Sequence, residues 1–421
     1  MLVFDQADDR SLDISQYLPP CDRGVILITT RNPELTIHGS RISYSLGPME
    51  TEEAVMLFER IVGFQKELSN ASARQSKEWV VRLLERSPLA IVQASAFILQ
   101  ESCDIGEYCR LYAQQREEIS LQPQFRGSET DWSIIATLKI TVKKHEAAPS
   151  LTARLALELL QIISFLHYEG IKEEMFHQGW EYLRHRESST RTRSRQPKML
   201  LRDGGAVWEH EIIPKAMSLL SSYFLIRRHS NNVVSLHPLV KNWAQKRLPP
   251  ADRRRAWALA VSVIAASIPC TFGTYDYRFR QCLLPHLNAS LSCYGNEVVF
   301  RLLDLEVSFL SIASKFVLVY QENGWRSEAL QLMEAVVAVM KSTLSEKDLV
   351  NLSLMQELTN RYTELGRQEE ALQLKESIVA MSNSILREEH PETVFQHGDP
   401  PRSYNELDRG VKASQIATPG R

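Results

Sequence analysis

Asp5 and Arg31 each follow a short apolar run, Leu2–Phe4 and Val25–Ile28, that ends abruptly in polar residues. Runs of this kind read as two buried strands of a parallel sheet. In an open α/β sheet, ligands sit outside the carboxyl ends of the strands, where Asp5 and Arg31 fall. A carboxylate supplies hard oxygens and a guanidinium supplies charge-assisted hydrogen bonds. Two further positions stand out by residue type and place. Pro88 stands at the start of an apolar helical pattern, where its missing amide costs nothing. His237 follows the run Val233–Leu236, and as a neutral imidazole it can donate one hydrogen bond to an anion or cap the helix that follows. Nothing in the chain matches G-x-x-x-x-G-K-[ST], the loop whose amides cradle phosphates.

The elements that must position these residues are mostly helical. Thr51 precedes Glu52 and Glu53 as the cap of a helix whose Val55, Phe58, Ile61 and Val62 share one face. Leu151, Leu155, Leu159, Ile162, Ile163 and Leu166 recur at helical spacing, and Gly170 is placed to end that helix. Another amphipathic helix covers Ile212 to Leu225. Phe224–His229 and Val233–Leu236 read as a hairpin turned by Ser230-Asn231-Asn232. A third N-terminal strand is expected at Arg41–Leu46, which alternates apolar and polar side chains. Ala256–Ile268 and Asn296–Val319 are expected as bridging helices.

The 421 residues are enough for several domains. With 44% hydrophobic and 24% charged residues the composition is globular, and a formal charge of -2 gives no whole-chain attraction to nucleic acid or acidic membranes. The longest nearly apolar run, Ala256–Ile268, is short of the ~20 residues a membrane span needs. Six scattered cysteines without C-x-x-C spacing suit a reduced, cytoplasmic compartment. The basic stretch Arg184–Arg202 is rich in Ser and Thr and lacks interleaved aromatics, so a solvated loop is expected there and nucleic-acid binding is not.

The most specific signal is a repeat. Tyr320-Gln-Glu-Asn-Gly324-Trp-Arg-Ser-Glu328-Ala-Leu-Gln-Leu332 matches Tyr362-Thr-Glu-Leu-Gly366-Arg-Gln-Glu-Glu370-Ala-Leu-Gln-Leu374, and 362 minus 320 gives a period of 42. Such self-similarity marks a solenoid of helical hairpins. Glycine permits the turn, alanine the close approach of the helices, and tyrosine fills the gap between them.

These motifs together resemble STAND NTPases of the NB-ARC, NLR-like kind found in fungi, followed by kinesin-light-chain-type tetratricopeptide repeats. The strand ending at Asp5 resembles Walker B, Ile-Thr-Thr-Arg-Asn at Arg31 the sensor strand, and Leu83-Leu-Glu-Arg86-Ser-Pro88-Leu-Ala90 the G-L-P-L-A motif. Leu236-His237-Pro238 resembles M-H-D. The resemblance implies that Asp5 holds Mg²⁺ beside the phosphates of ADP or ATP, Arg31 reads the terminal phosphate, Pro88 packs on adenine and His237 contacts the β-phosphate. Gln6 stands where a second Walker B acid is usual, and Arg86 where the lid motif has glycine. With no phosphate loop, hydrolysis is not expected and nucleotide affinity is expected to be weak or lost.

The expected fold class is mainly α. Residues 1–50 are a nucleotide-binding remnant begun part-way, 51–120 a helical lid, 130–250 a winged-helix-like domain and 255–320 a helical connector. Residues 320–395 are repeats and 396–421 a disordered tail. The repeats, with Tyr320 and Tyr362 in their groove, imply a protein partner, and intact members of the family oligomerise. A stand-alone scaffold or decoy working through its repeats, and a DNA-binding winged helix, are the competing readings.

Overall fold

A computed structural model describes residues 1–5, 7–8, 13–20, 23–30, 32, 34–35, 43–63, 71–120, 129–148, 150, 151–185, 212–269, 273–295, 308–343 and 349–388. Over these residues the fold is mainly α, as expected, with one parallel strand pair and one small antiparallel sheet.

At the N-terminus β1 (Leu2–Phe4) pairs in parallel with β2 (Ile26–Ile28), Val3 opposite Leu27. The pairing agrees with the sequence, but the burial does not. Val3 is 47% and Leu27 50% exposed, because two strands alone present both faces to solvent. The strand expected at Arg41–Leu46 is also corrected. Residues 43–46 form no ladder, and Tyr44 and Leu46 are 83% and 97% exposed; Arg41 and Ile42 lie outside the described residues. A backbone segment with no neighbouring strand leaves its amides and carbonyls to water.

The stretch expected to be a lid holds the helices α1 (Thr51–Val62), α2 (Ala71–Leu83), α3 (Pro88–Glu101) and α4 (Ile105–Ser120). Thr51 is the first helical residue and Glu50 the cap, without a side-chain cap bond, so the expected Thr51 cap is not made. Ala54, Val55, Phe58 and Val62 form the buried face of α1. Ile61 of the expected face is only partly buried. In α3, apolar nearly all round, Ala90, Ile91, Ala94 and Phe97 are all buried, the pattern of a helix enclosed by neighbours.

Helices α5 (Glu129–Ala147) and α6 (Leu151–Ile163) lead to β3 (Ile171–Lys172), α7 (Glu173–His185), α8 (Ile212–Ser222) and the hairpin β4 (Arg227–Arg228) and β5 (Val233–Ser235). The hairpin forms where expected. Asn231 and Asn232 sit at φ +65° and +56°, left-handed conformations that asparagine tolerates better than most residues. The sequence reading missed β3, which pairs antiparallel with β5, Ile171 opposite Val234. A two-residue strand has no periodicity to detect. Most of the basic stretch lies outside the described residues.

Beyond the hairpin come α9 (Pro238–Lys246), α10 (Pro250–Ser267), α11 (Thr274–Leu291), α12 (Ser308–Glu322), α13 (Arg326–Thr343), α14 (Leu349–Glu364) and α15 (Gln368–Glu388). The period of 42 appears in the backbone. The Trp325 amide donates to Tyr320 O and the Arg367 amide to Tyr362 O, both at 2.9 Å, with Gly324 and Gly366 at φ +77° and +74°. Ala329 and Ala371 are each 2% exposed where the helices meet. The Tyr320 hydroxyl donates to Asn288 Oδ1 of α11, and that of Tyr362 to Glu334 Oε1 of α13, both at 2.8 Å. Each tyrosine thus reaches back to the helix before its own hairpin, and α11 serves the first hairpin as α13 serves the second. The join is locked by Arg280 of α11, 1% exposed, whose Nε and Nη2 donate to the two Glu322 carboxylate oxygens at 2.6 and 2.7 Å.

Candidate functional site

Asp5 leaves the end of β1 exposed to solvent, and its Oδ1 accepts from Thr29 Oγ1 at 2.5 Å, just past the end of β2. The Thr29 amide donates to Phe4 O and the Ala7 amide to Thr29 O, so the two strand ends are held side by side. Thr30 Oγ1 adds a 2.6 Å bond to Ala7 O. The carboxylate therefore stands at the carboxyl edge of the pair, where the sequence placed it. Arg31 and Gln6 lie outside the described residues.

His237 is the cap of α9. Its Nδ1 accepts from the Leu239 amide at 3.2 Å. An accepting Nδ1 carries no proton, so the ring proton sits on Nε2 and that nitrogen is the donor. Capping and donation to an anion, alternatives on the sequence, use different nitrogens of one ring.

Tyr168 bears on the second of these places. It lies in the turn between α6 and β3, and its carbonyl accepts from the Leu236 amide at 2.7 Å, directly before His237. Its phenol is held above the usual tyrosine range by burial, and by the negative charges of Glu169 and Asp5. The Tyr168 carbonyl thus helps position the segment that leads into His237. The sequence reading did not select Tyr168. The one available signal was an aromatic residue two positions before Gly170, whose φ of +76° shapes this turn.

Pro88 opens α3 and is exposed. The residues before it are informative, because Glu85 and Arg86 have φ of +58° and +54°. The position where the resembled motif has glycine does require the left-handed conformation glycine adopts freely. Here an arginine takes it at a cost of about 1–2 kcal/mol, and its carbonyl accepts from the Met49 amide at 3.2 Å.

Of the two tyrosines expected to face a partner, Tyr320 is 4% exposed and spends its hydroxyl on Asn288. Its ring is a packing element, stacked near Trp325, because α11 covers it. Tyr362 is partly buried, carries Arg367 4.7 Å above its ring, and lines a cavity of about 380 Å³ with Glu334, Leu358, Glu370 and Leu374. Among the described residues no cluster of three or more His, Cys, Asp or Glu could hold a metal ion, and no helix is long and apolar enough to cross a membrane.

The architecture is that of a mainly helical protein with a parallel strand pair, a small antiparallel sheet and hairpin repeats, the class expected from the sequence. No protein-family model matches the chain. Over 197 residues it is 27% identical to a protein of Hyaloscypha variabilis described as a nucleotide-binding leucine-rich repeat (NLR)-like protein, a match taking in 41% of this chain and 19% of that one. The chain thus spans about a fifth of the length of this curated relative. The similarity supports the NLR-like resemblance read from the motifs. Among solved structures, it is similar to the crystal structure of a Signal Transduction ATPase with Numerous Domains (STAND) protein with a tetratricopeptide repeat sensor from Pyrococcus horikoshii. The TM-score is 0.38 at 14% identity, over 86% of this chain and 45% of that one. A likeness at that level carries no functional argument.

Proposed function

We propose that the chain is a regulatory part of an NLR-like, STAND-type signalling protein, in which Asp5, Arg31, Pro88 and His237 form the surroundings of an ADP or ATP site. Asp5 would take Mg²⁺ through its carboxylate, and the repeats would take a protein partner. The observation carrying this reading is the placement of two of these side chains: Asp5 at the carboxyl edge of the strand pair, its Oδ1 accepting from Thr29 Oγ1, and His237 at the start of α9, its Nδ1 accepting from the Leu239 amide. The His237 tautomer supports it too, since an Nε2–H is the donor an anionic phosphate needs. The domain boundaries given above are proposed with it, as are oligomerisation and a cytoplasmic location.

The sequence has no phosphate loop, and those backbone amides supply much of the phosphate affinity in such sites. The chain by itself therefore binds ADP weakly and does not hydrolyse ATP. A nucleotide acts as a switch only if it binds two conformations differently, and the contact from Tyr168 to Leu236 is the joint such a difference would work through. Isothermal calorimetry with ADP and Mg²⁺ tests the reading. A weak signal that His237→Ala abolishes and Asp5→Asn reduces is expected. Equal heats for all three proteins would leave a scaffold working through its repeats as the better account.

A further inference from the structure

Three residues of α11 spaced four apart, Cys282, His286 and Ser290, lie on one helix face, and each makes a polar contact to the segment 165–172. Ser290 Oγ donates to Phe165 O at 2.9 Å, His286 Nε2 donates to Gly170 O at 3.1 Å, and Lys172 Nζ donates to Cys282 Sγ at 3.1 Å. Ser290 and His286 are buried. Trp257 of α10 fixes this part of the helix by donating from Nε1 to Ser290 O at 2.9 Å. The stripe holds the turn carrying Tyr168, and with it β3, against the connector. Its first two contacts go to backbone carbonyls. The third joins two side chains, and both are nucleophiles once deprotonated.

We propose that Lys172 and Cys282 form an oxidation-dependent covalent crosslink, a nitrogen–oxygen–sulfur bridge between Nζ and Sγ, with a peroxide as the oxidant. The site is built for it. The two atoms are already at hydrogen-bond distance across 110 residues of sequence, and the flanking contacts at His286 and Ser290 hold the segment in register. Both side chains are half-buried, open enough for a small oxidant. The Phe279 ring centroid lies 6.0 Å from Lys172 Nζ.

The lysine ammonium first loses its proton to water. One N–H and the S–H bond then break, one N–O and one O–S bond form, and the bridging oxygen comes from a peroxide. Two peroxides are reduced to three waters, and the amine and the thiol are each oxidised by two electrons. Two equivalents of a dithiol, each oxidised to its disulfide, return amine and thiol, and the bridging oxygen leaves as water. The bridge would fasten β3 to α11, and so fix the turn that positions Leu236 and His237. The inference goes beyond the proposed nucleotide site and stands independently of it.

The test is peptide mass mapping of the full chain after hydrogen peroxide, with and without later dithiothreitol. The expected product joins the Lys172 and Cys282 peptides, with a mass equal to their sum plus one oxygen less two hydrogens. It disappears on reduction and is missing from both Lys172→Arg and Cys282→Ser. The oxidised wild type should also melt at a higher temperature than the reduced protein, with no such rise in either variant. Oxygen added to Cys282 alone, a join between other residues, or an unmodified pair would each overturn the proposal. Circular dichroism of the two variants before oxidation separates loss of the bridge from loss of the fold.

Discussion

The N-terminal strand pair and the junction of α11 with α12 are both places where distant sequence is brought together, yet they hold in different ways. In the strand pair, backbone bonds join residues some two dozen positions apart, and the apolar side chains stay about half exposed. At the junction a buried Arg280 meets Glu322 through two charge-assisted bonds, and its Nη1 donates to Pro269 O at 2.9 Å. An apolar run does not bury itself, since it needs a second layer. A charged pair placed between two helices can become part of the interior when every donor has a partner.

Removing one partner of the buried pair should show the contrast most strongly. Glu322→Ala takes the carboxylate from the buried Arg280 charge, and a loss of about 3–5 kcal/mol is expected in urea unfolding. Replacing both by apolar residues of similar volume should recover most of it. A small loss in the single variant would place the junction with the strand pair as a weakly held region.

His286 gives a second test, in pH. Burial, opposed by its bond to Gly170 O and reinforced by the nearby positive groups His167 and Lys241, pushes the imidazole down to about 4. Its folded value lies below its unfolded value, so between about pH 6.5 and 4 the unfolded chain binds the extra proton. Stability contributed by the neutral ring is full above that window and is lost as pH falls through it, by roughly 3 kcal/mol. Unfolding of wild type and His286→Gln across these pH values checks this. The wild type should fall more steeply on acidification, by about that amount.

The smallest effect belongs to the strand pair. Leu27→Ala removes a half-exposed side chain and should cost less than about 0.5 kcal/mol, within the range of surface substitutions. A loss of several times that in the same urea experiment would mean that β2 packs against a layer the comparison leaves out.

The repeat hairpins, the β4–β5 hairpin, the helix opened by Pro88 and the partners in the parallel pair could be read from the chain, because each depends on residues within a few turns or on a short apolar run. A 42-residue period set by Tyr, Gly and Ala is a local code, written twice. At the candidate site, Asp5 and His237 were legible as residue types at the ends of strands. Tyr168 was not, since its importance comes from a carbonyl that accepts from the Leu236 amide. Tyr320 shows the opposite case, a side chain picked as a surface contact that α11 covers.

The sequence alone determined the helical class, the repeat and its glycine turns, since periodicity and turn chemistry act over short distances. Only the tertiary structure decided that the strand pair stays exposed, that the Tyr168 carbonyl meets the Leu236 amide beside His237, and that Cys282, His286 and Ser290 all face the segment 165–172. Those outcomes depend on which surfaces meet after dozens to more than a hundred residues of intervening chain, and neither composition nor spacing encodes that meeting.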